Sequence, residues 1–470
     1  MSKAEKKDAS AKAPTYRIQP GTPWANAWKI TAVLGVIGLA AALFGMTGDP
    51  KRFAFSWLFA FMTFLAVGLG GLFFVLGQHL TGAGWGVTSR RTAEILLSGL
   101  PVFAILFVPI AINIEHLYPW THVEGHHGDA HGDGHGGGHS AVTLDSGRAQ
   151  AQEPRGLHEV RPDEWETTPP DRIEGTPQAD EHHHLLEEKS SYFHLFGHAG
   201  FFFARAAAYF LAWLILAYLF VGWSTRQDKE KGLEITKKLQ RIAPVSTFVF
   251  GITLTFAAVD WVMSLEPTWY STIYGVQYFA VSAVIGHATI ILITLGLRRA
   301  GVLGDAINVE HYHDLGKLLF GFVVFQAYIS FSQFMLIWYA GIPEEATYYH
   351  LRWWGGGGFK TISVLLVAAS FAVPFFVLIS RNAKRRLGLL AFACIWLAVM
   401  HVVHVYWLVM PYAEQTGLVE TSLRVHWMDV ASLFAVGGIY LSVVLWQMTR
   451  YPLVPVGDPR LARALKFENA

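Results

Sequence analysis

The sequence predicts an all-α integral membrane protein with ten transmembrane helices, and three observations lead there. Of 470 residues, 53% are hydrophobic and 15% are charged, where a soluble domain would carry about 25% charged residues. The apolar residues gather into ten runs, each near the roughly 20 residues that a helix needs to cross a bilayer core. Lys and Arg cluster in alternate connections between those runs, the pattern of loops retained in the cytoplasm. Helices are required because lipid offers backbone N–H and C=O groups no partner outside their own segment.

The elements follow in order. Residues 1–26 form a tail holding Lys3, Lys6, Lys7 and Lys12, read as cytoplasmic. The first run, near 27–45, is of span length with no cleavage site beyond it, so it is read as a helix rather than a signal peptide. The second run lies near 54–77 and is followed by Arg90 and Arg91; the third lies near 95–114. Residues 27–114 thus hold helices one to three. Residues 115–198 form a long outer loop. The fourth run, near 199–222, leads into Lys229, Lys231, Lys237, Lys238 and Arg241, and the fifth lies near 245–265. The sixth, near 275–297, ends at Arg298 and Arg299, and the seventh lies near 315–341. The eighth, near 359–380, contains Pro374, which is expected to kink it, and is followed by Arg381, Lys384, Arg385 and Arg386. The ninth and tenth lie near 387–409 and 428–447, so residues 199–447 hold helices four to ten. A tail at 448–470 carries Arg450, Arg460, Arg463 and Lys466. Both termini are therefore expected in the cytoplasm.

The outer loop at 115–198 holds thirteen of the 21 histidines, among Gly, Pro, Asp and Glu. Such a composition does not bury a core. Metal capture by His126, His127, His131, His135 and His139 is one reading, because neutral imidazole is a common ligand. A solvated acidic insertion is the other and the default, because the irregular spacing defines no coordination geometry. Cys394 is the one cysteine. It makes no internal disulfide, and it falls short of the roughly four thiolates of an iron–sulfur cluster. No C-x-x-C-H motif exists for covalent haem, and a net charge of +1 implies no nucleic-acid partner.

Ionisable groups inside spans cost roughly 2.5–3.5 kcal/mol each on insertion scales and are functional candidates by default. Asp260 lies in the outer third of the fifth run, with Glu266 at its edge. At 1.5 Å per residue, Arg205 of the fourth helix lies at a similar depth, so an Asp260–Arg205 contact is expected. His287 sits near the middle of the sixth helix. His401 and His404 share a face of the ninth, and Asp429, at the outer start of the tenth, is expected to approach His404. Gln326 and Gln333 share a side of the seventh. Glu115 and His116 end the third helix on the outer side, and His79 and Glu94 lie at the opposite ends of helices two and three. These groups glue helices together, form a proton relay, or ligate haem. The number of ionisable groups favours the relay, and the lack of opposed midplane histidines in the first five helices disfavours haem.

Several stretches go together: FARAAAYF at 203–210, WSTRQD at 223–228, DWVMSLEPTWYSTIYG at 260–275, DLGKLLFGFVVFQAYISFSQFMLIWYAGIPEE at 314–345, YWLVMP at 406–411 and PVGDPRLARALKFEN at 455–469. This set closely resembles the F subunit of bacterial alternative complex III, a quinol:electron-acceptor oxidoreductase, within the wider NrfD-like polysulfide-reductase membrane-subunit family. The resemblance covers nearly all ten helices and excludes most of 115–198. It implies two four-helix bundles, helices two to five and six to nine, plus flanking helices, in the bacterial cytoplasmic (inner) membrane. It implies a sister NrfD-like membrane subunit, multihaem c-type cytochrome subunits with haem c, an iron–sulfur subunit and small membrane subunits. Menaquinol oxidation falls to the sister subunit. This chain is left with a proton half-channel, no catalytic residue and no redox cofactor of its own, and menaquinone is the one ligand left open to it. Asp260 and Glu266 fall in the family's DW-x-M-S-L-E-P motif and Arg205 in that of the fourth helix. Gly341, near an expected Asn, and His404, near an expected acidic residue, depart from the pattern. The competing readings are a stand-alone metal or proton transporter with a His-rich outer loop, and a purely structural scaffold subunit.

Overall fold

A computed structural model describes residues 16–122, 199–304, 306–353, 358–415 and 425–468. Among these residues there is no strand, and ten helices are long and apolar enough to cross a membrane: α1 (Pro23–Gly48), α2 (Pro50–Leu80), α3 (Val87–Ile112), α4 (Gly200–Glu230), α5 (Glu234–Leu265), α6 (Tyr274–Arg299), α7 (Val309–Ala340), α8 (Phe359–Leu378), α9 (Leu387–Ala413) and α10 (Trp427–Arg450). Leu453 N–H donates to the Tyr16 carbonyl at 2.8 Å, and Arg17 Nη1 to the Arg450 carbonyl at 3.2 Å. The two described chain ends therefore meet at one end of the bundle, the termini end. Odd-numbered helices run from it to the far end and even-numbered helices return.

Helix α2 is the axis. Its most apolar window is 89% buried, against 22% for α1 and for α7. Helices α2, α3, α4 and α5 close one ring of neighbour contacts, and α6, α7, α8 and α9 close a second. The rings join where α2 crosses α6, backbone against backbone. A Cβ on Gly70 would stand 2.1 Å from the Ser282 carbonyl oxygen, and one on Gly286 would stand 2.6 Å from Gly70 Cα. Helix α1 packs along α10 through a stripe of small residues. Its buried residues are Gly35, Gly38, Ala42 and Gly45, and a Cβ on Gly35 or Gly38 would run into the backbone of Gly438 or Ala435. Small residues let two helices approach closely where water supplies no hydrophobic drive.

Several expected boundaries shift. Helix α3 begins at Val87, and Arg90 and Arg91 are buried helical residues rather than loop charges. Its α-helical pieces restart at Leu100 and Val108, each with a proline in the first turn, Pro101 and Pro109, where the missing N–H is harmless. Helix α5 begins at Glu234, because its basic first turns lie beyond the apolar window. Pro374 acts through register rather than through a simple bend. Residues Leu366–Ala372 of α8 form a π-helix directly before it. In π geometry the Ala369 carbonyl would look to residue 374 for its donor, and proline has none. The indole Nε1 of Trp396 in α9 donates to that carbonyl at 2.7 Å instead.

Candidate functional site

Arg205 stands in the second turn of α4, and Asp260 in the last helical turn of α5 before Trp261. The helices are antiparallel neighbours, so both side chains reach the far end of the first ring. There they form a two-pronged ion pair: Nε to Oδ2 at 2.8 Å and Nη2 to Oδ1 at 2.9 Å. The Asp260 side chain is 1% exposed and that of Arg205 14%. Tyr209, one turn beyond Arg205 on the same face, donates to Asp260 Oδ2 at 2.6 Å and accepts from Arg205 Nε at 2.9 Å. The guanidinium also packs against the rings of Phe201 and Phe256, at 5.3 and 4.9 Å from their centroids. Tyr209 was not among the expected residues. Its spacing of four from Arg205 is the sequence signal that marks it.

The motif that carries Asp260 also builds its backbone. After Trp261 the α-helix gives way to a 3₁₀ turn at Met263–Leu265, which would orphan carbonyls in lipid. The Ser264 hydroxyl donates to the Asp260 carbonyl, and Tyr118 Oη to that of Trp261 at 3.0 Å. The indole of Trp261 is fully buried and anchors the turn among Phe61, Phe107, Phe210 and Trp213. Glu266 does not join the pair. It accepts from Thr268 Oγ1 at 2.7 Å.

The histidines occupy the second ring. His287 is buried, with Nδ1 2.7 Å from the Ala283 carbonyl and its ring among Phe73, Phe74 and Phe322. His401 places Nε2 2.9 Å from the Thr63 carbonyl of α2. His404 Nδ1 lies 3.2 Å from Gln326 Nε2 of α7. A void of about 10 Å³, room for one water, is lined by Gln326, Ser370 and His401. Gln333 is buried with neither amide atom partnered.

Asp429 corrects an expectation. It accepts from Arg52 Nη2 and Ser56 Oγ, both at 2.6 Å, and from the His426 backbone N–H at 2.9 Å, closing a capping box at the start of α10. The α1–α10 stripe carries the start of α10 to α2 rather than to His404. Burial, and after it the nearby Arg52 charge, push the His426 imidazole below its ordinary value. Glu115 and His116 are exposed at the far end. His126, His127, His131, His135 and His139 lie outside the described residues. Among the described residues, no group of three or more His, Cys, Asp or Glu side chains could hold a metal ion.

Sequence reading also missed a buried ionic cluster at the termini end. Arg90 pairs with Glu94 at 2.9 Å and with Asp458 at 3.0 Å. Arg91 pairs with Glu94 and with Asp228, both at 2.9 Å. Arg460 pairs with Asp458 at 2.9 Å, and Ser224 Oγ donates to Glu94 at 2.7 Å. Three guanidiniums thus meet three carboxylates and lock the C-terminal tail onto α3 and α4. Burial alone would raise the Asp458 carboxyl, but the hydrogen bonds and charges of Arg460 and Arg90 hold it well below the usual carboxylate range. His79 lies beside this cluster, buried, with both ring nitrogens unpartnered.

A comparison of the chain with models of known protein families finds no match, and neither does a comparison with curated proteins.

Proposed function

We propose that the chain is the proton-exchanging membrane subunit of a respiratory menaquinol:electron-acceptor oxidoreductase, NrfD-like in fold and of the alternative complex III type. Two kinds of observation support the reading: the motif set of the sequence, and the Arg205–Tyr209–Asp260 arrangement, which carries it. A carboxylate buried at 1% exposure in an apolar span is expensive unless paired. Here Arg205 Nε lies within hydrogen-bond distance of two acceptors, Asp260 Oδ2 and Tyr209 Oη. If Asp260 takes up a proton, the guanidinium keeps the phenol oxygen and two aromatic faces as partners. These partners, with the carbonyl oxygen that a protonated Asp260 retains, lower the cost of neutralising the carboxylate below that of an ion pair without them, as a proton-exchanging site requires. In this reading the far end faces outward, the termini lie in the cytoplasm, and the histidines of the second ring hold that ring together or serve a second path.

Native purification tests it. A tagged chain extracted in mild detergent should co-elute with a second membrane subunit of the same fold, multihaem c-type cytochromes and an iron–sulfur protein, giving a haem c spectrum in stoichiometric amount. A lone homo-oligomer with metal-dependent flux would overturn the assignment in favour of a transporter.

A further inference from the structure

We propose that a lateral cavity in the second ring holds one acyl chain of a phospholipid whose head group is anchored at Lys360. The cavity, about 610 Å³, lies between α7, α8 and α9. Tyr349 and Trp353, from a short helix at Pro343–Trp353, close it at the far end and pack on Phe334. Val324, Tyr328 and Phe331 of α7 and Val367 of α8 border it and are exposed, so it opens sideways onto the surface that lipid covers. The wall is almost wholly apolar, and among the described residues no Lys, Arg, Asp or Glu lines it. Several of its polar side chains are spent on the protein. Gln326 and His404 bond each other, Ser363 Oγ donates to the Phe359 carbonyl, and Ser370 Oγ to that of Leu366. An apolar cavity stays dry, and left empty it forfeits the dispersion contacts of its lining. A flexible hydrocarbon chain restores those contacts and asks for no hydrogen bond.

Depth and charge identify the chain as one from the leaflet at the far end. Along α7 the lining runs from Val323 to Phe334, about 16 Å at 1.5 Å per residue. That is about half of a hydrocarbon core roughly 30 Å thick, the depth of one leaflet. A neighbouring helix, about 10–12 Å across, is too wide to lie within a void of this volume and length. Trp338 and Tyr339 stand about one turn beyond Phe334 and are exposed, and such residues gather at the level of lipid head groups. On α8, Lys360 stands about one turn beyond Ser363 and is exposed. It shares a helix face with Val364 and Val367, the latter at the cavity mouth. A lysine so placed lays its stem along apolar surface and keeps its ammonium at the interface, where a lipid phosphate meets it. One chain of that lipid then fills the cavity and the other stays in the bilayer.

The site is separate from Arg205 and Asp260, which belong to the first ring, and it stands whether or not Asp260 exchanges protons. The test is photolabelling of the full chain, in its native membrane assembly, with phosphatidylethanolamine carrying a diazirine on one acyl chain. Bulk lipid is washed away by detergent exchange before irradiation, and labelled peptides are mapped by mass spectrometry. The expected result is labelling retained within α7, α8 or α9 and lost from α1, whose Ile30 and Val36 are each 64% exposed but line no such cavity. A diazirine near the ester should mark peptides towards Phe334 or Ser363, and one at the chain end peptides towards Val323 or Phe371. Ala327→Trp, which places an indole in the cavity, should cut the retained labelling by about tenfold or more. Leu336→Trp, on the exposed face outside the cavity, should leave it unchanged. Lys360→Gln removes the head-group contact without touching the cavity and should cut retention about two- to fivefold, which keeps the test decisive if Ala327→Trp misfolds. Labelling washed out together with that of α1, or retained but indifferent to Ala327→Trp or to Lys360→Gln, would overturn the proposal. So would displacement of the probe by oleic acid as readily as by unlabelled phosphatidylethanolamine, which would assign the cavity to a free acyl chain.

Discussion

Replacing Arg205 by Met should destabilise the protein far more than replacing Arg205 and Asp260 together by Met and Leu. Breaking a buried ion pair from one side strands a charge, at about 3–5 kcal/mol, whereas replacing both partners by apolar residues of similar volume is often neutral. Arg205 keeps 14% side-chain exposure, and Tyr209 continues to donate to Asp260 Oδ2. Both features favour the lower end, about 3 kcal/mol for Arg205→Met. Asp260→Leu strands the guanidinium against Tyr209 and two aromatic faces, at a similar cost of about 3 kcal/mol. The double variant should lie within about 1 kcal/mol of the parent, so the coupling should reach about 3 kcal/mol or more. Reversible unfolding in mixed micelles, followed by tryptophan fluorescence, measures it. The signal sums over the chain's 17 tryptophans, so it reads global unfolding, which is the quantity the cycle needs. Single costs that sum to the double within about 0.5 kcal/mol would refute the pairing.

Other outcomes follow from close packing and from charge. Gly286→Ala forces a Cβ into the Gly70 backbone and should cost about 1–3 kcal/mol as overpacking, whereas Gly77→Ala, with nothing within 4 Å, should be neutral or stabilising; thermal unfolding of the two variants separates them. The Asp458 carboxyl lies below its unfolded-state value, so its contribution is fully present above the ordinary carboxylate pKa near about 4 and is lost as pH falls through the lower folded value. The tail should therefore stay docked from neutral pH down to about 4 and loosen only in stronger acid. In Asp458→Asn it should already be open to trypsin at neutral pH. Tail cleavage identical in Asp458→Asn and the parent would contradict the clamp.

Span number and order are legible in the sequence because lipid demands long apolar helices, and an apolar run of about 20 residues fits little besides a membrane span. Boundaries are less so. Arg90 and Arg91 read as loop charges; Glu94 pairs with both at helical spacing, but Asp228 and Asp458 come beside them only through tertiary structure. The Arg205–Asp260 contact is legible from matching depth on consecutive helices, which usually pack together and here do. Asp429 illustrates the limit. Its depth matches His404, but depth does not fix which helices touch. Gly35, Gly38 and Gly438 decide that, by seating α10 on α1 and so beside Arg52. The π register of Leu366–Ala372 is beyond sequence reading, because Pro374 signals only a kink.

Proton exchange at Asp260 is tested most directly by counting protons moved per electron in the intact assembly reconstituted into liposomes, parent against Asp260→Asn. The amide keeps the shape and can still accept from Arg205, so assembly should persist. Fewer protons per electron, or slower quinol oxidation, in a fully assembled Asp260→Asn complex is the predicted result. Unchanged stoichiometry and turnover would contradict it and leave the ion pair a structural clasp.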